Sequence, residues 1–155
     1  MNTQSAVSWR GFHHIALVTP DLDATIRFYR DVLGMQVGDV YTTGVGVAGR
    51  HCFIKPGNVE TWGLHFFENP DPHLMALLEA FKQMVLETRW RPGFFQGILQ
   101  HVAFALPDEQ AALDLRERLH HHDVLMTPIN EIGSLYTFLF LDNNGLLLEA
   151  DWPKT

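Results

Sequence analysis

Residues 14–21 read His-Ile-Ala-Leu-Val-Thr-Pro-Asp, and residues 101–108 read His-Val-Ala-Phe-Ala-Leu-Pro-Asp. Histidine, a β-branched residue, alanine, proline and aspartate recur at an offset of 87. A helical pattern follows each Pro-Asp. Leu22, Ile26, Tyr29 and Leu33 fall on one helix face in the first copy, and Gly34 supplies a stop. Ala111, Leu115 and Leu119 do the same in the second. Asp21 and Asp108 are natural N-caps, because a carboxylate there accepts from the unpaired N–H groups of the first turn. The ends of the copies also correspond: Trp62-Gly63-Leu64-His65-Phe66 aligns with Leu146-Leu147-Leu148-Glu149-Ala150 at an offset of 84.

Between helix and end, each copy holds three strand-like runs. They are 35–41, 50–55 and 61–68 in the first, and 124–130, 134–141 and 145–150 in the second. Pro56-Gly57, Gly133 and Asn143-Asn144-Gly145 punctuate them, the last a hairpin signal. Each copy therefore reads β-α-β-β-β, and a doubly wound parallel sheet is excluded. Leu74, Leu77, Leu78, Phe81, Met84 and Val85 form an amphipathic stripe that predicts a connecting helix from about 72 to 88. The expected class is α+β: two paired βαβββ modules in a half-open mixed-sheet cup, with a connecting helix between them. Residues 1–155 make one domain, with module one at about 11–69, the linker helix region at about 70–96 and module two at about 97–152.

Composition limits the function. The chain has 155 residues, 46% hydrophobic and 19% charged, enough apolar material for a core. Eleven Lys and Arg against eighteen Asp and Glu give a formal charge of −7, with no basic run. That argues against nucleic acid and anionic membrane as partners. No apolar stretch approaches a membrane span, and the opening MNTQSAVSWRG lacks the apolar region of a secretory signal. The single cysteine, Cys52, excludes an internal disulfide and a cysteine-rich zinc site. A cytoplasmic location is expected.

Nine histidines are the unusual feature. Side chains alternate faces along a strand. His14 shares a face with Ala16 and Val18, His101 with Ala103 and Ala105, His65 with Phe67, and Glu149 with Leu147. The first and last strands of each copy thus offer one donor apiece. If the copies pack with twofold pseudosymmetry, His14, His65, His101 and Glu149 converge. Imidazole and carboxylate together suit one divalent Fe, Mn, Ni, Co or Zn. The competing reading is ordinary: a histidine on an apolar strand is often a satisfied core or surface group. Glu149 weighs against it, because a carboxylate in Gly-Leu-Leu-Leu-Glu-Ala needs a compensating partner.

At these residues the sequence resembles the vicinal oxygen chelate superfamily, which includes glyoxalase I, methylmalonyl-CoA epimerase, fosfomycin- and bleomycin-resistance proteins and type I extradiol dioxygenases. The resemblance runs from about Gly11 to Trp152. It rests on His14-Ile-Ala-Leu-Val-Thr-Pro-Asp-Leu with Phe28-Tyr29-Arg30-Asp31-Val32-Leu33-Gly34, on Gln100-His101-Val102-Ala103-Phe104, and on Asp142-Asn143-Asn144-Gly145 leading to Glu149. It implies a metal held by His14, His101 and Glu149, with His65 at a fourth position that glyoxalases and epimerases fill with Glu or Gln. A small-molecule substrate with adjacent oxygens is implied, and relatives often form homodimers. Gly38, the apolar strands and a Trp152 expected to be exposed permit a homodimer here.

Three functions follow from the resemblance. The leading one is a glyoxalase-type lyase or isomerase, in which Glu149 is the candidate base and His65 the alternative proton shuttle. The second is an Fe(II) or Mn(II) extradiol-type dioxygenase. It is weakened because the family's acid/base tyrosine, ten residues before the glutamate, is Leu139 here, while Tyr136 faces the other way by parity. The third is a non-catalytic bleomycin-resistance-like binding protein, whose cleft Trp62, Trp90, Phe94 and Phe95 would line. Other features read as ordinary structure. His120-His121-His122 form a solvated helix end, Cys52 is a small buried hydrophobe, and Gly44–Gly49 is a loop or lid. Arg50, Lys55, Arg89 and Arg91 are surface cations able to meet an anionic substrate tail.

Overall fold

The computed structural model describes residues 12–42, 49–58, 63–87 and 99–154. Module one comprises β1 (Ile15–Thr19), α1 (Leu22–Arg27) running into a π-helical turn (Phe28–Val32), β2 (Gln36–Val37), β3 (His51–Lys55) and β4 (Leu64–Glu68). Helix α2 (Pro72–Glu87) follows. Module two comprises β5 (Val102–Ala105), α3 (Glu109–His121), β6 (Asn130–Ile132), β7 (Leu135–Leu141) and β8 (Leu147–Pro153). The sheets are four-stranded and share one topology, β1-β4-β3-β2 and β5-β8-β7-β6. In each, the first strand runs parallel to the last and the other pairings are antiparallel. The sheets are open and mixed, so the α+β class with two βαβββ modules is the observed fold.

The helices begin where their caps direct. Asp21 accepts from the Ala24 N–H at 2.8 Å, and Asp108 from the Ala111 N–H at 2.9 Å. The end of the first helix departs from the expected stripe. Leu33 N–H donates to the Phe28 carbonyl at 3.1 Å, an i to i−5 bond that widens the turn. The wider turn buries Phe28, Tyr29 and Val32 together, leaving Leu33 only partly covered. Helix α2 lies where its stripe predicts, yet Leu77 from that stripe is 66% exposed. Gly145, at φ 84°, permits its close approach: a Cβ there would lie 3.2 Å from Lys82 Cβ.

Two predicted strands shrink. The run 35–41 keeps only Gln36–Val37 and an isolated bridge from Tyr41 to His51. In the run 124–130, Met126 bridges Phe140 and the strand itself begins at Asn130. Pro128 lacks an N–H for the ladder, and the neighbouring contact runs through Thr127, whose N–H donates to the Leu139 carbonyl and whose hydroxyl accepts from the Leu139 N–H, both at 2.9 Å.

One apolar core joins the modules. Tyr29 packs on Phe66 with ring centroids 5.1 Å apart, while Phe138 meets Phe140 at 5.7 Å and Trp152 at 6.1 Å. Arg116 of α3 covers the Phe138 ring at 4.9 Å. Trp152 is 1% exposed, so its expected exposure is corrected. It continues the parity of Leu148 and Ala150, which face the core, and cannot serve as a surface contact. Between the modules, Tyr29 donates to the buried Asp142 at 2.9 Å, and Thr19 donates to Asn144 at 3.0 Å. Among the described residues no helix is long and apolar enough to cross a membrane.

Candidate metal centre

The repeat places its donors by register. Ala16 of β1 lies opposite His65 of β4, and Ala103 of β5 lies opposite Glu149 of β8. His14 and His101 sit just before the first strand of each module, two residues from those alanines and on the same face. Alternation explains this arrangement. Leu64, Phe66, Leu148, Ala150 and Trp152 turn inward, while Ala16, Val18, Ala103 and Ala105 lie on the open face.

In module two, His101 Nε2 lies 3.0 Å from Glu149 Oε2. The Thr137 hydroxyl donates to Glu149 Oε1 at 2.6 Å. The glutamate side chain is 14% exposed, and these partners compensate the loss of water around it. Leu139 is directly opposite Glu149, so an apolar side chain stands where the dioxygenase pattern carries tyrosine. Tyr136 pairs with Trp152 on the opposite face, as parity requires.

In module one, His14 and His65 have ring centroids 5.5 Å apart. Phe53 stacks on His65 at 3.9 Å and Phe67 lies 4.1 Å from it. His51 Nδ1 is 2.9 Å from His65 Nε2, and His13 Nδ1 is 2.8 Å from His14 Nδ1. Burial first, then His51 and His14, push the His65 pKa below its ordinary value. That favours neutral imidazole, the form whose lone pair can bind a cation.

The four candidates therefore stand as two pairs, His14 with His65 and His101 with Glu149. Among the described residues no three His, Cys, Asp or Glu side chains gather closely enough to hold a metal as they stand. The donor chemistry still fits a divalent transition metal or zinc: two imidazoles in one pair, imidazole with carboxylate in the other. A cleft of about 660 Å³ lies between the end of the first helix and β5 with α3. Leu33, Met35, Pro56, Phe104 and Arg118 line it, and none of the four candidates does. Its lining includes Ala103, the register partner of Glu149, and Ala150, the residue after it.

The sequence reading missed Thr137 and His51. Both carry the right parity for the open face, but their contacts are diagonal across strands and depend on register. Arg50 is engaged by two carboxylates, Asp23 at 3.0 Å and Glu68 at 2.8 Å, which takes it from the cations offered to a substrate. Cys52 is fully buried, and burial pushes its thiol to about 11. His120, His121 and His122 are exposed at the end of α3. Trp62, Arg89, Trp90, Arg91, Phe94, Phe95 and most of the Gly44–Gly49 loop lie outside the described residues.

Residues 11–150 match the family described as Glyoxalase/Bleomycin resistance protein/Dioxygenase superfamily. A stretch of 69 residues, 44% of this chain, is 38% identical to an iron-dependent extradiol dioxygenase of Rhodococcus jostii (strain RHA1). That match spans only 22% of the dioxygenase. Over 155 residues the chain is 28% identical to the mitochondrial methylmalonyl-CoA epimerase of Mus musculus, covering 96% of this chain and 77% of the epimerase. The fold is shared with a glyoxylase/bleomycin resistance protein/dioxygenase domain from Frankia sp. EAN1pec. That likeness has a TM-score of 0.69 at 19% identity and covers 95% of this chain and all of the other.

Proposed function

Because the chain belongs to the glyoxalase/bleomycin resistance protein/dioxygenase superfamily, we propose that it is a metal-dependent lyase or isomerase of the glyoxalase type. Its substrate is a small molecule with adjacent oxygens. His14, His65, His101 and Glu149 are the residues that would hold one divalent metal. The carrying observation is Glu149 on the open face, gripped by Thr137 at 2.6 Å and facing His101 at 3.0 Å. Imidazole and carboxylate set side by side are a donor pair that a divalent cation takes.

A divalent cation supplies Lewis acidity toward carbonyl or diol oxygens. The remaining chemistry belongs to the chain. Thr137 holds one Glu149 oxygen; the other, which faces His101, would take a proton from carbon beside a substrate carbonyl once Glu149 detaches as a ligand, or through a water it activates. Where it does not hold the metal, His65 is the alternative acceptor, since burial first, then His51 and His14, favour its neutral form. Ala16 and Ala103, opposite His65 and Glu149, leave open space beside them for a small substrate. The likeness to an epimerase supports this reading, because inverting a carbon centre takes removal and return of a proton. A cytoplasmic setting and a homodimer belong to the same proposal.

The second reading is an Fe(II) or Mn(II) dioxygenase, favoured by the stretch similar to the Rhodococcus protein. Leu139 opposite Glu149 counts against it. The test is elemental analysis of protein purified without added metal or an affinity tag, beside His101→Ala and Glu149→Ala. The expected result is about one equivalent of metal per chain, lost in both variants. No metal after anaerobic reconstitution overturns the proposal and leaves a binding protein. Iron together with oxygen uptake on catechols replaces the isomerase by the dioxygenase. Isomerisation of α-oxoaldehydes with nickel, zinc or cobalt supports it.

A further inference from the structure

The open face of module one carries an imidazole beyond the candidate donors. His51 Nδ1 lies 2.9 Å from His65 Nε2. Strand register builds this contact: Phe53 is opposite His65 and His51 is opposite Phe67, so the two histidines are diagonal neighbours across β3 and β4. Both rings are confined. His51 stacks on Phe67 at 5.3 Å and on Tyr41 at 5.5 Å, and its backbone exchanges two 2.9 Å hydrogen bonds with Tyr41. His65 is 9% exposed and lies between Phe53 and Phe67.

A hydrogen bond between two neutral imidazoles has one donor nitrogen and one acceptor nitrogen. If His65 Nε2 accepts, its Nδ1 carries the hydrogen and no ring nitrogen is left to bind a cation. If His65 Nε2 donates, Nδ1 keeps a free lone pair. We propose that His51 is a positioning residue for the fourth donor: His51 Nδ1 accepts from His65 Nε2, which holds His65 as an Nδ1 ligand. This rests on the metal-centre reading above. An orienting partner on the second ring nitrogen fixes the tautomer and direction of a ligand histidine, and its loss commonly weakens metal binding by roughly 10- to 100-fold.

Two substitutions separate the hydrogen bond from packing. His51→Phe keeps a ring between Tyr41 and Phe67 and removes the acceptor. His51→Asn restores a polar atom near the position of Nδ1. Nitrogen NMR of the metal-free full-length chain should find His65 protonated on Nε2 and bare on Nδ1. Zn(II) titration should then weaken roughly 10- to 100-fold in His51→Phe and stay within about threefold of wild type in His51→Asn. Melting temperatures of both variants confirm that they are folded. A His65 protonated on Nδ1 overturns the proposal, as does His51→Phe binding Zn(II) as tightly as wild type. A wild-type chain that takes up no metal overturns the metal-centre reading, and the tautomer still decides the His51–His65 bond separately.

Discussion

Replacing Asp142 by Asn isolates the charge buried where the two modules meet. Asp142 is 3% exposed in the turn between β7 and β8. Its Oδ1 accepts from Asn144 N–H and Leu146 N–H, both at 2.8 Å, and its Oδ2 accepts from the Tyr29 hydroxyl at 2.9 Å. Burial pushes its pKa up from 3.8 to about 6, against the downward pull of those hydrogen bonds. The folded value lies above the unfolded one, so the unfolded chain releases this proton first. The contribution to stability is therefore fully present below pH 3.8 and is lost as pH rises through about 6. The gap corresponds to about 3 kcal/mol. Asparagine keeps an oxygen for the two backbone donors and turns an amide toward the Tyr29 oxygen, with no charge to bury. Urea unfolding of both proteins at pH 4, 5, 6 and 7 tests this. The stability of Asp142→Asn relative to wild type should rise with pH, by most of that 3 kcal/mol across the window. Parallel stability curves would refute the reasoning.

Other perturbations follow from the same contacts. Tyr29→Phe leaves Asp142 Oδ2 buried without its donor; urea unfolding at pH 7 should register a loss of about 1–3 kcal/mol, and wild-type stability would contradict it. Gly49→Ala puts a Cβ 2.6 Å from the Glu68 carbonyl oxygen at φ 143°. It should destabilise the fold by more than about 1 kcal/mol, read as a lowered unfolding midpoint. Thr137→Val removes the hydroxyl that holds Glu149 Oε1. Metal titration should weaken roughly 10- to 100-fold with the melting temperature little changed, and unchanged affinity argues against a metal role for Glu149.

The repeated segment determined the architecture without help from the structure. Strand, Pro-Asp cap and helix are local signals, and Asp21 and Asp108 accept the N–H groups that capping requires. Strict alternation was enough to put His65 on one face with Phe67 and Glu149 on one face with Leu147; strand register then set them opposite Ala16 and Ala103. Parity also turned Tyr136 away from Glu149. Strand length was not legible in the same way. Edge strands extend only as far as a neighbour offers partners, so β2 is reduced to Gln36–Val37 and Pro128 delays β6 to Asn130.

The exposure of Trp152 was misjudged because a position near the chain end suggested a free surface. Its burial follows from the face it shares with Leu148 and Ala150. The grip of Thr137 on Glu149 and the contact of His51 with His65 were invisible in the sequence. Both join residues diagonal across neighbouring strands, where a register slip of one residue would turn either side chain to the other face. Sequence alone determined which donors the chain carries and which faces bear them, since alternation is a property of each strand by itself. Only the tertiary structure decided how they pair, because register and ring packing arise between strands.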